Sequence, residues 1–312
     1  MDSIVLALGG GGVRGIAHIG VIRRLEQAGF HIAAVAGTSV GAIVGSLYAA
    51  GLKSDRIADL VTHVGTRDFF SRDPDDGPSL MGLAGLKRVL EHKIGKMTFA
   101  DLAIPFACTA VDIKSDQEVI LYQGSLMESV QASAALPGIF PTVKIGEYEL
   151  VDGGVLDPVP VSLARWLAPG QPVVAVCLHP VPEHWAEMPA MPFAAPSTIP
   201  QPILNQVNRL RIAQAFKIFA RSMDITSRML AELHLQIDKP DVIIRPDVGE
   251  FGLLDNVEGD ELIQRGELAA SEKIEEIRRA FQLKNRVARI FQHPKPPGMV
   301  FDPDDLNGHS SD

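Results

Sequence analysis

Residues 33–41, Ala33-Ala34-Val35-Ala36-Gly37-Thr38-Ser39-Val40-Gly41, decide the fold. Four small apolar residues read as a short buried strand, and the glycines of the next five end it. Residues 41–50 are small or apolar throughout, which predicts a helix buried on all sides. The same order stands just upstream. Residues 4–8 read as a strand and Gly9-Gly10-Gly11-Gly12 as a turn. Residues 15–28 read as a helix with Ile16, Ile19, Ile22 and Leu25 at helical spacing. β-α-β-α predicts an α/β fold, with a mostly parallel central sheet flanked by helices.

Residues 27–52 hold no Lys, Arg, Asp or Glu, so hydropathy alone would mark a membrane span. Five glycines, Thr38, Ser39 and Ser46 break that stretch into two short runs, which fit strand, turn and helix better. Met1-Asp2-Ser3 puts no basic residue before residues 4–8, so no secretory leader is expected. Over 312 residues, 29 Lys and Arg against 38 Asp and Glu leave −9, which argues against nucleic acid as a partner. Cys108 and Cys177 lie in apolar runs and are expected as buried thiols, fitting a reducing compartment.

Further along, helices are expected at 55–64 (capped by Ser54), 82–94, 126–135, 161–167, 203–235 and 259–292. Strands are expected at 106–113 and 118–122 as a hairpin, then at 143–145, 148–151, 173–178 and 241–245. Residues 73–78 read as a loop. Seven prolines in 180–202 make that stretch a long surface loop and a candidate lid. In the 203–235 helix, Val207, Leu210, Ala213, Phe216, Phe219, Met223, Leu230 and Leu233 form the expected apolar stripe. The chain reads as a single domain, 1–292, with 293–312 as a disordered tail.

Three motifs carry chemistry. Gly37-Thr38-Ser39-Val40-Gly41 is a G-x-S-x-G between strand and helix, where a sharp turn exposes the serine at a helix N-terminus. Gly9-Gly10-Gly11-Gly12-Val13-Arg14-Gly15 offers bare backbone N–H groups to an oxyanion or phosphate. It also satisfies G-x-G-x-x-G through Gly10, Gly12 and Gly15, so a nucleotide-dependent dehydrogenase is the rival. The second strand ends Ala36-Gly37-Thr38-Ser39 without the carboxylate a ribose needs, which disfavours it. Asp152-Gly153-Gly154 ends a strand with a carboxylate beside two glycines. His179, His184, His234 and His293 follow Ser39, so order alone leaves a Ser–Asp–His triad open.

Taken together, these motifs resemble the patatin-like phospholipase family, bacterial-type serine lipid acyl hydrolases. The family pattern is a G-G-G-x-R-G segment, a G-x-S-x-G elbow and a D-G-G or D-G-A aspartate. Ser133-Ala134-Ala135-Leu136-Pro137-Gly138-Ile139-Phe140-Pro141 is similar to its segment between elbow and aspartate. The resemblance covers about residues 4–161. It implies a three-layer α/β/α fold, a Ser39–Asp152 dyad with no histidine, and no metal or cofactor. Ser39 would attack a lipid ester and Asp152 would take its proton. The oxyanion segment would be Gly10, Gly11, Gly12, Val13 and Arg14, with the N–H groups of Gly11, Gly12 and Val13 as donors. Arg14 would either order that loop or meet a lipid phosphate. A carboxylate base at neutral pH needs its proton affinity raised in a water-poor site. The alternative is a non-catalytic lipid-binding or regulatory protein on the same fold.

The implied partner is a lipid or phospholipid ester. Residues 201–223 carry Arg209, Arg211, Lys217 and Arg221 and no acidic residue, after Trp185, Met188, Met191 and Phe193. That pattern fits peripheral membrane contact through 185–223, or else a helix covering the sheet. The expected location is cytoplasmic, peripheral at the inner membrane surface.

Overall fold

The computed structural model describes residues 2–63, 82, 84–187, 204–253, 255, 257–282 and 295–301. Nine strands form one sheet: β1 (Ser3–Leu8), β2 (His31–Gly37), β3 (Phe106–Asp112), β4 (Gln117–Leu121), β5 (Val143–Ile145), β6 (Tyr148–Asp152), β7 (Val173–Val176), β8 (Val242–Ile244) and β9 (Met299–Val300). The helices are α1 (Ala17–Gln27), α2 (Val40–Ala49), α3 (Ser54–His63), α4 (Ala84–Ile94), α5 (Leu126–Ser133), α6 (Val161–Leu167), α7 (Leu204–Asp238) and α8 (Gly259–Ala280).

The central strands β3, β2, β1, β7 and β8 are parallel neighbours, and their alternation sorts side chains onto two faces. Ile4, Leu6 and Leu8 of β1 meet α1, α2, α5 and α8, while Val5 and Ala7 meet α6 and α7. The result is three layers, as expected.

One departure from parallel order builds the site. Strand β2 pairs with Phe106–Cys108 of β3, and β6 pairs antiparallel with Ala110–Asp112, while β4 covers the other edge from Cys108 to Asp112. β2 and β6 therefore share one edge of β3 and run toward each other, meeting at Thr109. The chain leaves β2 into Thr38-Ser39 and reaches the meeting point on β6 at Asp152.

No helix among the described residues is long and apolar enough to cross a membrane, and 27–52 resolves into β2, a turn and α2. Other expectations need correction. The Ser54 hydroxyl donates to Glu26 at 2.8 Å, tying α3 to α1. Residues 295–301 are not a loose tail: Met299 and Val300 pair with Val119 and Ile120, and Phe301 is buried against Tyr148. The expected stripe on α7 holds only in part where it can be checked. Met223 and Leu230 are half-buried, Phe219 and Leu233 are exposed, and the fully inward residues are Asp224, Arg228, Ala231 and Leu235. The reason is that α7 packs part of its length on charged groups rather than on the apolar sheet. The last helix stops at Ala280, capped at Phe281, short of the expected 292. Residues 73–78, 188–202 and 283–292 and the side chains of Val207, Leu210, Ala213 and Phe216 lie outside the described residues.

Candidate active site

Ser39 sits at the turn between β2 and α2 with φ 56° and ψ −124°, a backbone conformation costly for a residue with a Cβ. Its neighbours hold it there. Thr38 donates its N–H to the Leu8 carbonyl at 3.0 Å, and its hydroxyl lies 2.8 Å from that of Thr109 and 3.0 Å from the Asp157 carbonyl. The Ser39 N–H donates to the Ser133 hydroxyl at 3.0 Å, and the Ser39 carbonyl accepts from Ala42 and Ile43 at the start of α2. Gly41 is required by close approach, because a Cβ there would lie 2.0 Å from the Leu8 carbonyl oxygen. Ser39 is thus strained, held by its neighbours and at a helix N-terminus.

Asp152 closes the site from the other side. Its N–H donates to the Ala135 carbonyl at 2.9 Å, and its Oδ1 accepts from the Gly154 N–H at 2.8 Å. The carboxyl is 3% exposed. Burial raises its pKa from the ordinary 3.8 to about 6, while hydrogen bonds from Ser39 and the Gly154 N–H act in the opposite direction. The segment after α5 links both residues, since Ser133 takes the Ser39 N–H and Ala135 takes the Asp152 N–H.

The glycine run lies beside them. A Cβ on Gly10 would be 3.3 Å from the Ser39 Cβ. Not all five residues of the segment are free to donate. The Gly10 N–H is given to the Pro158 carbonyl at 2.9 Å, and the Val13 N–H to the Leu253 carbonyl at 3.0 Å. Gly11 and Gly12 keep N–H groups with no backbone acceptor among the described residues. Gly12 has φ 59°, and a Cβ there would lie 2.1 Å from the Leu253 oxygen, so only glycine fits.

Arg14 is 1% exposed, which removes it from contact with a lipid phosphate. Its Nε donates to the Gly11 carbonyl at 3.1 Å and its Nη2 to Asp224 Oδ1 at 2.6 Å. The described histidines are engaged elsewhere. His18 Nε2 lies 2.8 Å from the Gly9 carbonyl and His179 Nε2 3.2 Å from Ser227 Oγ. His234 Nδ1 lies 3.5 Å from both Asp157 and Asp238. Burial pushes His18 down to about 4 and His179 to about 3. The side chain of His184, and His293, fall outside the described residues. Among the described residues no cluster of His, Cys, Asp and Glu could hold a metal ion.

Near β6 opens a cleft of about 890 Å³, lined by Val111, Pro137, Gly138, Phe140, Val151 and Val155 together with the charged Asp116, Lys144 and Glu149. It runs along the outer part of β3 and β6, with half-exposed Ile113 and Leu156 at its rim.

The profile of the patatin-like phospholipase family matches residues 6–165. The chain belongs to that family. An uncharacterized NTE family protein of Mycobacterium tuberculosis is 35% identical over 162 residues, 51% of this chain and 44% of that one. Lysophospholipase NTE1 of Pyricularia oryzae is 30% identical over 294 residues, 88% of this chain and 19% of its own length. This patatin-like chain thus spans less than half the length of these curated relatives. The crystal structure of VipD from Legionella pneumophila shares the fold, with a TM-score of 0.53 at 14% identity, covering 88% of this chain and 66% of that one.

Sequence reading missed Thr109, Ser133, Asp224 and Leu253. Ser133 lay inside a motif already singled out. The other three sit in stretches with no local pattern, and only pairing across the sheet or packing of α7 reveals them.

Proposed function

We propose that this patatin-like protein is a lipid acyl hydrolase working through a Ser39–Asp152 dyad. Ser39 Oγ attacks the ester carbonyl while Asp152 takes its proton. The carbonyl oxygen becomes an oxyanion held by the N–H groups of Gly11 and Gly12. Collapse expels the alcohol, which receives the proton from Asp152. Asp152 then takes a proton from a water that attacks the acyl-enzyme, and passes it to Ser39 Oγ as the fatty acid leaves. The observation carrying this reading is the pairing of a strained serine with a buried carboxylate whose pKa is raised to about 6. A carboxylate at its usual value would be a weak base, whereas one near 6 stays ionised at pH 7 and accepts a proton more readily. The segment of oxyanion donors is narrower than the five residues of the motif, because Gly10 and Val13 have committed their N–H groups.

An acyl chain would lie along the apolar side chains of the cleft, Val111, Pro137, Phe140, Val151 and Val155. Membrane contact belongs to the same reading. On α7, Ile218, Phe219, Ile225, Met229, Leu233 and Ile237 are 41–74% exposed and fall on one side of the helix. Phe219 leads that row to the cleft, as its ring lies 3.3 Å from where a Gly138 Cβ would be. The basic residues Arg209, Arg211 and Lys217, and Met188, Met191 and Phe193, lie outside the described side chains. Arg221 is paired with Asp224, and Trp185 donates to the Pro180 carbonyl at 3.0 Å.

The test is hydrolysis of p-nitrophenyl butyrate and of mixed phospholipid vesicles, with fatty acids identified by mass. Ser39→Ala and Asp152→Asn each lose at least 10³-fold in kcat, and a phosphonate probe labels Ser39 alone. Substantial turnover by Ser39→Ala, or labelling at another serine, overturns the dyad. Lipid binding with no turnover by the wild type would instead favour a regulatory role.

A further inference from the structure

Three groups far from Ser39 in sequence gather around Arg14, behind the glycine run. Asp224, on α7, accepts from Arg14 at 2.6 Å on Oδ1, and from Arg221 at 3.1 Å and Arg228 on Oδ2. Arg14, Arg228 and Asp224 are 1%, 4% and 7% exposed. Asp224 lies 210 residues from Arg14 and outside the stretch matched by the family profile. Arg245 adds a neighbouring pair with Glu232 at 2.6 Å and donates to the His179 carbonyl.

The peptide planes of the glycine run show what this cluster holds. The Gly9–Gly10 peptide is fixed at both ends, its carbonyl by His18 and its N–H by Pro158. The Gly12–Val13 peptide is fixed through its N–H by Leu253. The Gly11–Gly12 peptide is held through its carbonyl, by Arg14 Nε at 3.1 Å and by its place as cap of the 3₁₀ turn Gly12–Ile16. In a trans peptide C=O and N–H point in opposite directions, so drawing the Gly11 carbonyl toward Arg14 aims the Gly12 N–H the other way. Glycines on both sides of this plane give it no steric preference of its own.

We infer that Asp224 is a positioning residue for ester hydrolysis: it locks the Arg14 guanidinium, which orients the Gly11–Gly12 peptide so that the Gly12 N–H meets the oxyanion. This rests on the dyad reading above. Arg14 alone could turn about its long side chain; Asp224 fixes the guanidinium through a second nitrogen, Nη2. Positioning and simple electrostatics differ in sign. Removing the Asp224 charge makes the cluster more positive, which by field alone would favour an oxyanion, whereas loss of aim disfavours it.

The experiment measures kcat, KM and the Ki of an alkyl trifluoromethyl ketone on the full chain. The ketone carbon takes Ser39 Oγ and its oxygen becomes a stable oxyanion, so Ki reports the donors directly. Asp224→Asn and Arg14→Lys are expected to lower kcat by roughly tenfold to a hundredfold, short of the ~10²–10³ for deleting a donor outright. KM stays within about threefold and Ki rises by the factor lost in kcat. Asp224→Glu recovers part of the loss. Because a buried charge without its carboxylate can unfold the protein, Arg14→Met, Asp224→Leu and Arg228→Met together remove the three buried charges of the cluster. That triple variant is expected to melt cooperatively near the wild-type temperature and still show the kcat and Ki defects. Wild-type kcat in the triple variant, an Asp224→Asn rate within twofold of wild type or above it, or a kcat loss without a matching Ki rise overturns the inference while the dyad stands. Ser39-independent turnover in the wild type fails the dyad itself, and this inference with it.

Discussion

Replacing Asp152 with Asn should abolish hydrolysis and at the same time stabilise the fold. The carboxyl is buried, and its folded pKa of about 6 exceeds the ordinary 3.8. A carboxyl raised on folding binds its proton more tightly in the native state. The stability it contributes is therefore complete below pH 3.8 and lost as pH rises through 6. Keeping Asp152 ionised costs about 3 kcal/mol by pH 8 and about half of that at pH 5. Asn has nearly the same shape, and its oxygen can still accept from the Gly154 N–H, now 2.8 Å from Oδ1. It carries no charge to desolvate. Urea unfolding of both proteins from pH 5 to pH 8 measures the difference directly. Asp152→Asn should be more stable by about 3 kcal/mol at pH 8, with the gap closing toward acid. The same value should set the rate: kcat/KM of the wild type is flat above about pH 7 and falls tenfold per pH unit well below 6. An Asn variant no more stable at pH 8, or an advantage unchanged between pH 5 and pH 8, would refute the claim that burial makes this carboxylate a base.

Three more outcomes can be measured. Gly41→Ala places a Cβ 2.0 Å from the Leu8 carbonyl oxygen, so it should lower the melting temperature and cut kcat at least a hundredfold; a normal rate would show that the turn can relax. His179→Gln and His234→Gln should keep kcat within about tenfold, below the ~10²–10⁴ expected of a general base, and a larger loss accompanied by a shifted pH profile would point to a triad. Ile225→Gln, Met229→Gln and Leu233→Gln together should weaken binding to lipid vesicles severalfold and slow hydrolysis of vesicle lipid, yet spare p-nitrophenyl butyrate. Identical vesicle binding would remove this face of α7 from membrane contact.

What could be read from the sequence was local. Glycine spacing around Ser39 reports a turn that tolerates no Cβ, and the alternation of Ile4, Leu6 and Leu8 with Val5 and Ala7 reports a strand covered on both faces. The misreadings came where tertiary partners override pattern. An apolar count along α7 suggested a core-facing stripe, but Arg14 and Arg245 reward charge on the inward side, so Asp224, Arg228 and Glu232 turn in and Ile225 and Met229 turn out. Phe301 lay in a Pro- and Asp-rich stretch whose composition says disorder, yet one aromatic ring with a slot beside Tyr148 is enough to anchor it. Likewise the glycine run suggested five residues of oxyanion segment. Two of its N–H groups are claimed by carbonyls on segments that no spacing rule connects to it.

Because β2 and β6 end face to face along one edge of β3, that strand acts as a ruler for the chemistry. The exposed β3–β4 turn at residues 113–116 can lengthen or shorten without moving the serine from the aspartate. A residue added to or removed from β3 between Cys108 and Ala110 has no such freedom. It would change the gap by about 3.3 Å and turn every later side chain to the other face. Tolerance of insertions and deletions should therefore be kept at that turn and vanish at Thr109, whose hydroxyl also meets that of Thr38.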